Sequence, residues 1–276
     1  MKRIKEDSLF FNIVKLLMLV FILIFMKILL AGISAGSLGK NKGCEKAPGV
    51  IAGLVKEGLA NEAGNDLMME IKELKFNGNI DEFYNEIAGE EFDVMIGGDH
   101  SVSYGGVKGL KGRKCLIVFD AHPDVEVGTE SADHECWVRK LIEEGEANTS
   151  GVFLIGLRAF SKSELRFLRE NRIRYLMMKQ IFELGVQEVC DDVMEFANGF
   201  ESVYLSVDID VVEPGAAPGT GYLEPGGLSA REMIYFIQRL KMLKNLKRVD
   251  IVEVNPDKDF NEMTCKLAAK LVGELG

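Results

Sequence analysis

Three segments of this chain carry side chains suited to holding divalent metal. FDAHPDVE places Asp120, His122 and Asp124 at two-residue intervals directly after the apolar run Cys115 to Phe119. SVDIDVVEP repeats the interval with Asp208 and Asp210, and GGDHS supplies His100. In an extended segment, side chains at i, i+2 and i+4 project to one side, so each group is expected to converge. Two imidazoles and four carboxylates without a thiolate are too rich in hard oxygen for a four-coordinate structural zinc. Mn2+ suits them better, and other divalent first-row ions are compatible. Six donors around one ion would leave little room for a reactant. Shared between two ions about 3.5–4 Å apart, bridged by a carboxylate and a water, they leave open positions and a clamp for hydrolysis.

Taken singly, an Asp or His at a strand end is ordinarily a turn residue or a helix cap. The joint pattern argues otherwise, because all three histidines of the chain, His100, His122 and His134, fall in one short window with the acidic clusters. Packing histidines have no reason to gather there. Cys136 stands beside His134, but a Cys and His adjacent in sequence rarely meet in productive geometry. Ser101 and Ser103 lack the GxSxG elbow and read as loop supports. The glycines of PGTGYLEPGG lack the GxGxxG pattern and read as a shaped active-site loop.

The elements that must position these residues follow from the apolar pattern. The 276 residues are 47% apolar, which suits one large α/β domain. Strands are expected at Lys27 to Gly32, Met69 to Lys75, Asp93 to Gly97, Cys115 to Asp120, Val152 to Leu157, Ile173 to Met177, Ser202 to Asp208 and Arg248 to Val254. Helices are expected at Ile80 to Glu90, Glu135 to Gly145, Ser161 to Asn171, Gln187 to Asn198 and Ala230 to Lys241. This alternation is the mark of βαβ units around a mostly parallel sheet, and runs such as CLIVF and VFLIGL indicate helices on both faces. Chemistry in such sheets collects at the carboxyl ends of the strands, where all the polar clusters fall.

A net charge of -10 and a pI near 5.0 argue against a nucleic-acid partner and favour a small cationic one. The five scattered cysteines suggest neither a disulfide framework nor a zinc knuckle, which fits a reducing cytoplasm. At the amino terminus, basic residues precede the apolar run Leu16 to Met26, which is shorter than the roughly 20 residues of a membrane span. MKILLAGIS, Met26 to Ser34, reads as a first strand and its turn. The reading adopted takes Met26 as the native start, residues 1–25 as a non-native extension or hydrophobic N-terminal segment, and 26–276 as a single catalytic domain. A membrane anchor through residues 9–33 and a buried helix are the alternatives.

GGDHS, DAHPD, SVDIDVVEPGAAPGTGYLEPGGL and VEVNP, in this order, resemble the ureohydrolase family of arginases and agmatinases, as does GISAGSLGKNKGCEKAP near the amino terminus. The resemblance implies a three-layer α/β/α sandwich with an eight-stranded sheet, two Mn2+ per subunit, and hydrolysis of a guanidino or related amidine group. It assigns His100, Asp120, His122, Asp124, Asp208 and Asp210 as ligands, with Asp124 also counted among the catalytic groups. Glu253 would pair with the guanidinium, and His134 would protonate the departing amine; the alternative for His134 is a loop or cap residue. Trimers or hexamers are implied. Two departures, Glu213 for the usual aspartate and Tyr222 for the commoner threonine, are not expected to touch the metals. Arginases carry an amide at the position of Glu126. An acid there would repel an α-carboxylate and attract an ammonium, so agmatine is the expected substrate. Arginine, formiminoglutamate or another guanidino acid, or a non-catalytic role, remain the alternatives.

Overall fold

The computed structural model describes residues 25–58, 61–65, 67–128 and 130–276. Its strands are β1 (Phe25–Ala31), β2 (Met68–Glu73), β3 (Val94–Gly97), β4 (Lys114–Phe119), β5 (Val152–Leu157), β6 (Arg174–Met177), β7 (Ser202–Asp208) and β8 (Leu246–Val252). They form one sheet in the order β2-β1-β3-β8-β7-β4-β5-β6, and every neighbouring pair is parallel. The expected mostly parallel sheet is thus wholly parallel among the described residues. The four strands that carry the polar clusters, β3, β8, β7 and β4, stand side by side at its centre. Parallel pairing puts all their carboxyl ends on one edge.

Strand side chains alternate between two cores, which is why helices must cover both faces. Cys115, Ile117 and Phe119 of β4 face one core, and Leu116 and Val118 face the other. The first is closed by α1 (Ala47–Lys56), α6 (Met178–Leu184), α7 (Val186–Asn198), α8 (Ala230–Leu240) and α9 (Met263–Leu275). The second is closed by α2 (Ile80–Gly89), α3 (Val102–Lys108), α4 (Trp137–Glu143) and α5 (Lys162–Glu170). The result is the three-layer α/β/α sandwich. Ser161 and Ser229 begin α5 and α8 with reciprocal capping boxes to Glu164 and Glu232.

Four helices, α1, α3, α6 and α9, were not anticipated from the sequence pattern. In α3 the reason is the pair Gly105 and Gly106, which lowers helix propensity. Packing requires both. A Cβ on Gly106 would lie 2.1 Å from Tyr204 Oη, and one on Gly105 2.7 Å from the Tyr84 carbonyl. The helix expected from Glu135 begins later, at Trp137, and the last strand ends at Val252 rather than Val254.

The amino-terminal segment lies outside the described residues except for Phe25, which pairs with Met68 at the start of β1. Residues 25–31 belong to the sheet, so an anchor running through residue 33 would remove an inner strand. Among the described residues no helix is long and apolar enough to cross a membrane.

Gly98 shows how tightly the site edge is stitched. Its N–H donates to Ala31 O at 3.0 Å and the Asp99 N–H to Ile33 O at 2.9 Å, and a Cβ on Gly98 would lie 1.9 Å from Ile33 O. Gly98→Ala should therefore cost about 1–3 kcal/mol through overpacking against backbone. A lowered urea midpoint with unchanged slope is the expected reading, and an unchanged midpoint would refute the close approach.

Candidate metal centre and active site

His100 enters from the turn between β3 and α3, Asp120, His122 and Asp124 from the loop after β4, and Asp208 and Asp210 from the end of β7 and the turn beyond it. All six meet at the carboxyl edge of the sheet. Their route differs from the extended projection that the spacing suggests. The β4 strand stops at Phe119, Asp124 takes a left-handed φ of 51°, and Asp210 lies in the 3₁₀ turn Ile209–Val211. Side-chain turns replace the strand geometry. Asp120 Oδ1 accepts from the His122 N–H at 2.7 Å, and Asp208 Oδ1 from the Asp210 N–H at 2.8 Å. Such Asx turns fold the chain back locally, bringing the residue two positions on to the same point. The Ala121 N–H then ties the two loops together by donating to Asp210 Oδ1 at 3.1 Å.

His100 Nδ1 lies 3.0 Å from Asp120 Oδ2, 2.9 Å from Asp124 Oδ2 and 3.2 Å from Asp208 Oδ2. His122 Nδ1 lies 3.0 Å from Asp210 Oδ2 and 3.4 Å from Asp120 Oδ1. Two triplets result, His100 with Asp120 and Asp208, and Asp120 with His122 and Asp210, each with its donor atoms within 4.8 Å of one another. Asp120 belongs to both. Asp124 belongs to neither, although its Oδ2 lies beside His100 Nδ1 and also accepts the Trp137 indole N–H at 2.7 Å.

The donor set fits a pair of divalent cations. His100 Nδ1 and Asp120 Oδ2 are buried without a hydrogen-bond partner despite their proximity, so their lone pairs converge on shared space rather than on each other. Burial, together with the neighbouring carboxylates, raises the carboxyls of Asp208 and Asp210 and brings Asp124 to about 7. Asp120 is the exception: burial opposes its charge, but contacts with His100 and His122 hold it below the ordinary carboxylate range. Four buried acids facing two imidazoles need added positive charge.

Glu253 follows β8 with a left-handed φ of 63°. Its Oε1 accepts the His100 N–H at 2.7 Å and its Oε2 accepts Asn41 Nδ2 at 2.6 Å. Each oxygen keeps a second lone pair, and the residue lines the pocket. His134 Nδ1 is 3.7 Å from Glu253 Oε1, and its Nε2 is buried, unpartnered, and 3.7 Å from Glu135 Oε1. Burial works against an imidazolium there, but Glu253 outweighs it and raises His134 to about 9. The His134 ring stacks on Tyr222 with centroids 6.0 Å apart and planes 14° apart. Glu126 is a partly buried lining residue, and Ser163 Oγ donates to its carboxylate at 3.3 Å.

These groups line a cavity of about 290 Å³, to which the two metal triplets contribute His122, Asp208 and Asp210. Its wall adds Glu135, Glu164 and Glu224, and no lysine or arginine is among the described lining residues. Cys136 is buried and its thiol pushed up to about 12, so it is no nucleophile. Ser101 bonds the Asp99 carboxylate and Ser103 the Asp250 carboxylate, supporting roles as expected.

Residues 41–276 match the arginase family model. The chain belongs to the arginase family. Members of this family are hydrolases of amidino C–N bonds that depend on two metal ions, and this chain is one of these hydrolases. It is 33% identical over 205 residues to an arginase of Staphylococcus aureus (strain COL), covering 68% of each chain. To an agmatinase of Bacillus subtilis (strain 168) it is 30% identical over 203 residues, covering 71% of this chain and 67% of that one. Its fold matches the crystal structure of arginase from Bacillus subtilis with a TM-score of 0.81 at 23% identity, over 91% of this chain and 98% of the other.

Sequence reasoning missed Asn41, Trp137, Ser206, Asp250 and the wall acids Glu135, Glu164 and Glu224. Ser206 and Asp250 did leave a signal, as polar residues inside the otherwise apolar strands β7 and β8. Tyr222, expected only to stay off the metals, proves to be a pocket wall.

The shared carboxylate makes a stoichiometric prediction. Asp120→Asn should abolish binding of both ions, whereas His122→Asn should leave one ion per chain, read by elemental analysis after dialysis against Mn2+. Retention of two ions by Asp120→Asn would refute a shared role for Asp120 in both sites.

Proposed function

We propose that this chain is an agmatinase that uses two Mn2+ held by His100, Asp120, His122, Asp124, Asp208 and Asp210. It would hydrolyse agmatine to urea and putrescine. The donor set, dominated by carboxylate oxygen, supports manganese. A bound cation pair supplies Lewis acidity that makes water nucleophilic near neutral pH. The chain's own groups provide the rest. Glu253 is fixed by His100 N–H and Asn41 and offers its free lone pairs to the guanidinium, aligning the reacting carbon. His134, held protonated beside Glu253, donates a proton to the departing amine nitrogen.

The observation that carries the substrate is the acidic wall. A distal ammonium would find Glu126 in the lining, while a distal carboxylate would find no lysine or arginine among the described lining residues. Arginine is the second reading, favoured by relatives named arginase at 33% identity. Five buried free cysteines support a reducing cytoplasm, and the family likeness supports a trimer or hexamer.

Turnover of agmatine and arginine by the manganese-loaded protein should favour agmatine, and a strong preference for arginine would overturn the assignment. Glu126→Gln should lower kcat/KM for agmatine by about tenfold or more, as expected for loss of a charge-assisted hydrogen bond. An unchanged kcat/KM would remove Glu126 from substrate recognition.

A further inference from the structure

Beneath the metal centre lies a buried carboxylate that touches neither the six candidate ligands' cavity nor the substrate pocket. Asp250 on β8 is fully buried, and it is surrounded by hydroxyl donors. Ser206 Oγ donates to its Oδ1 at 2.6 Å, while Ser103 Oγ and Tyr204 Oη donate to its Oδ2 at 2.6 and 2.5 Å. Oxygen separations this short are those of hydroxyls bonded to an ionised carboxylate. Burial favours the neutral acid, and His100 with the three hydroxyls opposes it.

Proton accounting then fixes His100. A serine hydroxyl has one hydrogen, and that of Ser206 is committed to Asp250. The 2.9 Å contact between Ser206 Oγ and His100 Nε2 must therefore run from Nε2–H to the serine oxygen. A neutral imidazole protonated at Nε2 presents its lone pair at Nδ1, the nitrogen that faces Asp120, Asp124 and Asp208. His122 has no such support. Its Nε2 faces the pocket, 3.7 Å from Glu224 Oε1 and beyond hydrogen-bonding distance.

The geometry points to Asp250 as a positioning residue that, through Ser206, locks the tautomer and orientation of His100 and so strengthens one of the two cation positions and not the other. The inference rests on the metal-centre reading above. It adds an asymmetry that the six ligands alone do not imply, since each triplet contributes one imidazole.

The test is Mn2+ binding by equilibrium dialysis and calorimetry on the full chain, with wild type compared with Ser206→Ala and Asp250→Asn. Loss of an outer hydrogen bond to a metal-binding histidine typically weakens affinity 10–100-fold. Ser206→Ala should impose a loss of that size on one of two ions and leave the other near its wild-type affinity. Nitrogen-15 spectra of the Zn2+-loaded protein, which has three histidines, should show His100 protonated at Nε2 in wild type and a changed Nε2–H signal in Ser206→Ala. Wild-type affinity for both ions in Ser206→Ala, equal weakening of both, or protonation of His100 at Nδ1 would each overturn the proposal. Asp250→Asn should reproduce the one-ion loss if folded, and Ser206→Ala decides alone if it is not. Failure of wild type to bind Mn2+ would instead sink the metal-centre reading itself.

Discussion

Asp120, Asp124, Asp208 and Asp210 share one buried volume, and among the described residues His100 and His122 are the cationic partners directly opposed to them. Like charges about 4 Å apart repel by roughly 4 kcal/mol per pair at an effective dielectric of 20, so an arrangement of this kind persists only where the scaffold is rigid and positive charge is supplied. Much of the surrounding structure answers that demand. Backbone N–H groups of Ala121, His122 and Asp210 point at the carboxylates, the Trp137 indole reaches Asp124, and the pair of unpartnered donor atoms marks where cations belong. An isolated loop could not hold such a cluster. Four adjacent parallel strands with two closed cores behind them can.

The topology explains why the cluster is assembled from segments far apart in sequence. The chain lays down β3 and β4 early and leaves a gap between them that β7 and β8 later fill. Consequently the site completes only when the last strands insert, and each of the four central strands ends in a motif. The order of strands, rather than any local signal, makes His100 a neighbour of Asp208 and Glu253 a neighbour of His100.

Much of this was legible in the sequence, for identifiable reasons. Strands such as β4 and β5 were readable because short apolar runs bounded by turn residues and alternating with helical segments fit buried parallel strands better than any helix, whereas the edge strands β2 and β6 are partly exposed and carry a weaker signal. The six candidate ligands were readable because histidines rarely gather beside acidic clusters. The means of convergence was misread. Period-two spacing suggested strand geometry, yet the residues lie past the strand ends, where an Asp side chain bonding the N–H two residues on produces the same juxtaposition. Helices rich in glycine, such as α3, were invisible because their glycines serve close packing that only the folded neighbours reveal. Asn41 and Trp137 act on Glu253 and Asp124 across loops, and no spacing rule links such pairs.

The two departures from the family pattern share one loop, and its anchoring shows why they are tolerated. Glu213, longer by a methylene than the usual aspartate, still accepts the N–H groups of Gly226 and Gly227 at 2.7 and 3.0 Å. From the other side Arg158 donates to the carbonyls of Glu224 and Asp210, at 2.8 and 2.5 Å from its Nη2. Backbone atoms therefore hold both the wall segment bearing Tyr222 and the turn bearing Asp210. Because the Glu213 carboxylate and the Arg158 guanidinium grip backbone atoms, the side chains presented between those points are free to vary. Tyr222 can then stack on His134 and bond Glu135 at 3.1 Å without moving Asp210. The segment bearing Tyr222 and the turn bearing Asp210 are thus anchored by Arg158 and Glu213, neither of which lines the pocket.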